Sequence, residues 1–243
     1  MKILRKLAVA CLALLVACGG VHAQVPPPAP AIFVHGGGWV TGSPTTVSML
    51  SPRLAAWGYV LDTATYRLIP DVTLADEVAD VQAEIDRVRA MVAGGPMIVV
   101  GHSAGAHLAA AAVLTTMPPA PVCLILLDGI GYDLPALLAA RAGLQVRLTL
   151  TPEQASPWSP VHLMTPSHPV RMFIAAGNDA RGTKEEAERL AAAATAMGLT
   201  VESHYYPDMD HVDFLQHFRQ APPSEFLKAV ARFVRSCAPI EAP

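Results

Sequence analysis

An α/β domain, built on a mostly parallel sheet of about six strands with helices on both faces, is the fold class that this sequence predicts. Two observations carry the prediction. Apolar runs of strand length alternate along the chain with longer segments of helical period, the pattern of a parallel sheet covered on both sides. The 243 residues, 52% hydrophobic and 15% charged, suit one globular domain with a sizeable core and leave little room for two.

Strands are expected near 31–35 (AIFVH), 58–64 (GYVLDTA), 97–101 (MIVVG), 122–127 (VCLILL), 170–176 (VRMFIAA) and 201–206 (VESHYY). Helices are expected near 46–57, 74–92, 104–115, 183–197 and 223–236. In the second helix Leu74, Val78, Val81, Ile85, Val88 and Val92 recur at three- and four-residue steps, so one face is buried. The segment 128–169 breaks the alternation, with a short helix at 134–141 and then LTPEQASPWSP, too proline-rich for regular structure. An excursion after a strand's carboxyl end overlies the site in an α/β sheet, which makes this segment a lid-like insertion.

The domain proper spans 31–236, behind a signal peptide (1–23) and a linker (24–30), with a tail at 237–243. Lys2, Arg5 and Lys6 form a positive n-region, Leu7 to Ala17 an apolar h-region too short to span a bilayer, and Val21-His22-Ala23 a cleavage site. Export to the periplasm or medium follows. Leu15-Val16-Ala17-Cys18 offers the alternative of a lipoprotein anchored through Cys18. Beyond the signal, Cys123 and Cys237 are left, and the sequence leaves open whether they pair. A net charge of −3 and a pI near 6.3, with no basic stripe, exclude a nucleic-acid partner.

The chemistry gathers at Gly101-His102-Ser103-Ala104-Gly105, between a predicted strand and a predicted helix. That context is what a nucleophile elbow requires, raising the Ser103 hydroxyl at the tip of the sheet. A serine needs a base, and the base an acid, following in the order Ser, Asp or Glu, His. Asp179 lies just beyond the 170–176 strand and His211 on the loop beyond the last strand, so both reach the Ser103 edge. Asp128, which ends LILLDG, is the alternative acid; Asp208, Asp210 and Asp213 stand too close to His211 in sequence to be first choice. His102 and His107 read as packed or hydrogen-bonded neighbours. The three glycines of FVHGGGWVTG allow Gly37 and Gly38, with Ala104, to aim N–H groups at a developing oxyanion. No His, Cys or Asp spacing resembles a metal site, and no cofactor is required.

These residues resemble the α/β-hydrolase superfamily, and within it the hormone-sensitive-lipase-like and feruloyl-esterase-like carboxylesterases, with kynurenine formamidase close by. The resemblance rests on His35-Gly36-Gly37-Gly38-Trp39, Tyr66-Arg67-Leu68-Ile69-Pro70 with Asp80, Gly101 to Gly105, Gly177-Asn178-Asp179 and Asp210-His211. It implies Ser103 as nucleophile, Asp179 as acid, His211 as base, and Gly37, Gly38 and Ala104 as oxyanion donors, with His35 shaping its loop. Compared with the family, the sheet is trimmed at its N-terminal edge and the cap is minimal.

The expected activity is hydrolysis of small-molecule or polymer-linked carboxylic esters through an acyl-enzyme. The base must be neutral to act, so the rate should decline as pH falls through the ordinary histidine range. Two alternatives stand beside it: an aryl formamidase of the kynurenine formamidase type, and an exported binding protein on a non-catalytic hydrolase scaffold.

Overall fold

The computed structural model describes residues 29–91, 96–116, 118, 122–178 and 181–237. The expected signal peptide, most of the linker, Val92 and Asp179 lie outside these residues, as does the tail apart from Cys237.

Six strands form one sheet in the order β2-β1-β3-β4-β5-β6, every neighbouring pair parallel. They are β1 (Ala29–Val34), β2 (Tyr59–Thr63), β3 (Met97–His102), β4 (Val122–Leu127), β5 (Val170–Ala176) and β6 (Thr200–Tyr205), close to the spans expected from the sequence. Successive strand residues face opposite ways, so each strand feeds two cores. Ile32, Val34, Val99, Leu124, Leu126 and Ile174 pack on one side, against α2 (Leu74–Ala90), α3 (Ala104–Thr115) and α8 (Thr183–Ala196). Phe33, Ile98, Val100, Ile125, Leu127 and Phe173 pack on the other, against α1 (Ser51–Ala56), α9 (Asp213–Gln216) and α10 (Glu225–Cys237). In α10 the buried Phe226, Val230, Phe233 and Val234 make the inward stripe.

Proline placement explains two departures from expectation. The helix expected at 46–57 is a 3₁₀ segment, Pro44–Met49, followed by α1, because Pro52 belongs to a first turn and cannot continue a helix begun upstream. The stretch LTPEQASPWSP, expected to be irregular, is instead a series of short helical turns: α6 (Pro152–Ala155), a 3₁₀ turn at Ser156–Trp158 and α7 (Pro160–Leu163), each with a proline in its first turn. Thr151 and Gln154 close a capping box on α6. Ahead of them lie α4 (Leu134–Ala140), as expected, and α5 (Ala142–Leu148), which was not anticipated.

Cys123 of β4 and Cys237 at the end of α10 form a disulfide, their Cα atoms 6.1 Å apart and their separation in sequence 114 residues. Closing a loop of that size removes on the order of 4 to 5 kcal/mol of unfolded-chain entropy on the chain-entropy view. It ties the last helix to the middle of the sheet.

One buried acid works against the fold at high pH. Glu77 in α2 is 0% exposed, and neither carboxylate oxygen has a hydrogen-bond partner among the described residues. The Ile69 N–H, which would favour the charged form, is given to the Trp39 carbonyl. Burial therefore pushes the Glu77 carboxyl up to about 8. The folded-state value lies above the unfolded one, so the stabilising contribution is complete below the ordinary glutamate range and is lost as pH rises through about 8. Glu77→Gln, neutral throughout, should gain stability over the native chain between pH ~5 and pH ~9 in chemical unfolding; an equal difference at both ends would contradict this.

Candidate active site

The turn from β3 into α3 holds Ser103 at φ 57° and ψ −128°, a region that costs a non-glycine residue about 1 to 3 kcal/mol. Contacts on both sides over-determine it. Ser103 N–H donates to the Leu127 carbonyl of β4 at 3.0 Å, and its own carbonyl accepts from Ala106 N–H at 2.9 Å. Gly105 sits so close to the end of β1 that a Cβ there would stand 2.2 Å from the His35 carbonyl oxygen. The half-buried hydroxyl is left at the carboxyl edge of the sheet, at the amino end of a buried helix.

His211 follows β6, on a turn built from its neighbours. Asp210 Oδ1 accepts from the Val212 and Asp213 N–H groups, and Asp213 Oδ2 accepts from Asp210 N–H. Asn178 N–H donates to the Met209 carbonyl at 2.8 Å, fastening the turn to the end of β5. The His211 ring meets a carboxylate, with Nδ1 2.5 Å from Asp128 Oδ2. Asp179, the acid expected from the sequence, lies outside the described residues; the partner in place is the alternative, Asp128.

The sheet explains why Asp128 arrives there. In the β3–β4 register His102 is opposite Leu127, so the next residues, Ser103 and Asp128, leave neighbouring strands side by side. Asp128 is 2% exposed and takes φ 44°, which turns its carboxylate back over the sheet edge. Its Oδ1 accepts from Gly177 N–H at 2.8 Å and from the Thr183 hydroxyl at 2.7 Å. Burial alone would raise the Asp128 carboxyl; hydrogen bonds from His211, Thr183 and Gly177 outweigh it and hold the group below the usual carboxylate range. Buried Glu186 of α8 accepts the Gly131 and Tyr132 N–H groups at 3.1 and 2.8 Å, bracing the loop that follows Asp128.

The glycine loop after β1 packs against the elbow. Gly37 has φ 138°, a conformation and closeness that exclude a side chain: a Cβ would stand 1.8 Å from the Thr41 carbonyl oxygen. Gly37 and Gly38 line the same cavity as Ser103 and His211. Ala104 opens α3, where an N–H has no acceptor inside its helix. His35 is buried under the loop, its ring stacked on Tyr66 at 4.4 Å, and the Tyr66 hydroxyl donates to the His35 carbonyl at 2.7 Å. Burial lowers the His35 pKa, so the ring stays neutral in its bracing position.

Two further histidines brace the site, His107 from behind the glycine loop and His102 from the cavity wall. His107 accepts from Trp39 Nε1 at 3.1 Å and contacts the Trp158 carbonyl through Nε2 at 2.9 Å, linking the glycine loop to the lid segment. His102 Nε2 stands 2.8 Å from the His211 carbonyl, with the two rings 4.5 Å apart. Burial pushes both down to about 4, and the neutral tautomer with the proton on Nε2 satisfies both contacts. These are the bonded-neighbour roles expected of them.

A cavity of about 710 Å³ opens over Ser103, with the lid segment supplying Ile130 and Leu144 to its wall. Among the described residues no group of His, Cys, Asp and Glu could hold a metal ion, and no helix is long and apolar enough to cross a membrane.

The BD-FAE family model matches residues 23–119, a stretch that includes the glycine loop and the elbow helix. Across the whole domain, the solved structure of a hormone-sensitive lipase from a metagenome library superposes with a TM-score of 0.68 at 27% identity, covering 86% of this chain and 78% of that one. The chain belongs to the α/β-hydrolase superfamily. This α/β-hydrolase is also similar to esterase LipC of Mycobacterium tuberculosis (strain ATCC 25618 / H37Rv), 43% identical over 100 residues, or 38% of this chain and 25% of that protein. The probable isoprenylcysteine alpha-carbonyl methylesterase ICME of Oryza sativa subsp. japonica is 38% identical over 93 residues, 36% of this chain and 22% of that protein. The α/β-hydrolase thus spans about a quarter of the length of the curated relatives it matches.

Proposed function

We propose that the protein is a serine carboxylesterase with Ser103 as nucleophile, His211 as base and Asp128, in place of Asp179, as the acid that orients the base. The observation that carries this reading is the contact of His211 Nδ1 with Asp128, which leaves Nε2 as the ring's free nitrogen in the cavity that holds Ser103. Nε2 would take the Ser103 proton as Oγ bonds to the ester carbonyl carbon, while N–H groups of Gly37, Gly38 and Ala104 receive the oxyanion. Nε2 then passes the proton to the departing alcohol oxygen as the acyl C–O bond breaks. Water repeats the sequence: it loses a proton to Nε2, attacks the acyl carbon and returns Ser103 with a free acid. His102 is a positioning residue that fixes the backbone of His211. Export is part of the proposal, supported by the N-terminal pattern and by a disulfide, a bond that persists in oxidising compartments.

Esters are favoured over aryl formamides by the similarity to named esterases and by the export pattern. A panel of p-nitrophenyl acetate and butyrate, methyl ferulate, acetylated xylan and N-formylkynurenine decides between them. The expected result is turnover of at least one ester with N-formylkynurenine inert; turnover of the formamide alone would replace the esterase reading, and no turnover with no fluorophosphonate labelling would leave the scaffold a binding protein.

A further inference from the structure

The charge around the mouth of the cavity runs against that of the whole chain. The protein carries net charge −3, yet three of the residues lining the cavity over Ser103 are Arg141, Arg147 and Arg181, and among the described residues lining it none is Asp or Glu. Arg141 and Arg147 come from the lid segment, in which no acidic residue occurs from Leu134 to Pro152; Arg181 comes from the turn that precedes α8. All three are exposed, and among the described residues none meets a carboxylate.

Their placement is specific. Arg147 Nη1 lies 3.4 Å from where a Cβ on Gly38 would stand, directly over the glycine loop. Arg141 Nη2 donates to the Arg181 carbonyl at 2.6 Å, which joins the lid segment to the α8 side of the cavity. Three acids among the described residues near the cavity are turned elsewhere: Asp128 binds His211, Gly177 and Thr183, Glu186 binds backbone N–H groups, and Asp133 pairs with Arg189. Three guanidinium groups around one opening repel each other while it is empty and present planar donor forks to whatever enters. A neutral ester uses none of this; an ester with a second, ionised group neutralises it.

Resting on the reading of Ser103 as nucleophile, we propose that the cavity selects esters that carry a free carboxylate or a comparably compact anion on the acyl or the alcohol portion, bound by Arg141, Arg147 and Arg181. Two isosteric pairs test this: monophenyl adipate against phenyl adipamate places the charge on the acyl side, and 3-carboxyphenyl butyrate against 3-carbamoylphenyl butyrate places it on the alcohol side. In at least one pair kcat/KM for the carboxylate should exceed that for the amide by about tenfold or more at low salt. Raising salt from about 20 mM to about 0.5 M should bring the ratio toward unity. Arg141→Gln and Arg147→Gln should each lower the same ratio, and the salt series needs no variant to fold. Equal kcat/KM within both pairs, with hydrolysis and fluorophosphonate labelling intact, would overturn the anion preference and leave the esterase reading standing. No hydrolysis of any of the four and no labelling would overturn the esterase reading, and the anion preference with it.

Discussion

Ser103→Ala should lower ester turnover by about five to six orders of magnitude, the loss seen when the nucleophile of a cooperating triad is removed. It should also abolish labelling by a fluorophosphonate. The fold should persist, because alanine removes a hydroxyl that makes no structural hydrogen bond among the described residues and the turn keeps its φ of 57°. The strained turn is held by the Leu127 and Ala106 backbone contacts and by the approach of Gly105 to His35, none of which involves Oγ. Residual hydrolysis above background, from preserved binding and oxyanion donors, is expected on the order of 10³-fold over water. Turnover by the variant at a rate near that of the native protein would remove Ser103 from the chemistry.

How much of this site was legible in the sequence follows from which features are local. The elbow is local: a strand, Gly-x-Ser-x-Gly and a helix announce the bend within one stretch, and α3 begins and ends where expected. His211 was legible because it follows the last strand, so chain order alone places it at the Ser103 edge. Asp128 was harder, since choosing it over Asp179 requires the register that sets His102 opposite Leu127 and the positive φ that turns the carboxylate back; neither is written in local composition. A usable signal was present in the chain: one acid closes the wholly apolar run VCLILL, where a buried carboxylate needs partners. The arginine-bearing walls were missed for a related reason. The segment 128–169 was expected over the site, but Arg141 and Arg147 flank and close a helix, α5, that its weak apolar period did not announce, and the prolines beyond it, read as excluding regular structure, each start a turn.

Asp128→Asn separates the two acids. Asparagine keeps an oxygen for Gly177 N–H and the Thr183 hydroxyl, so the loop and the sheet edge should survive, and unfolding should shift little. What changes is the group that faces His211. An amide NH₂ cannot accept from Nδ1–H, and it favours the tautomer with the proton on Nε2, the wrong one for a base that must take a proton from Ser103. The expected loss is about 10⁴-fold in kcat with little change in KM, because the acid acts on the transition state and not on ground-state binding. Fluorophosphonate labelling should slow in parallel, since it depends on the same activated oxygen. Asp179→Asn should cost less than about tenfold. The opposite pattern, with Asp179→Asn crippling and Asp128→Asn mild, would return the acid to the loop beyond β5. Both variants losing about 10⁴-fold would mean that the two carboxylates act on the imidazole together, and the single-acid mechanism would fail.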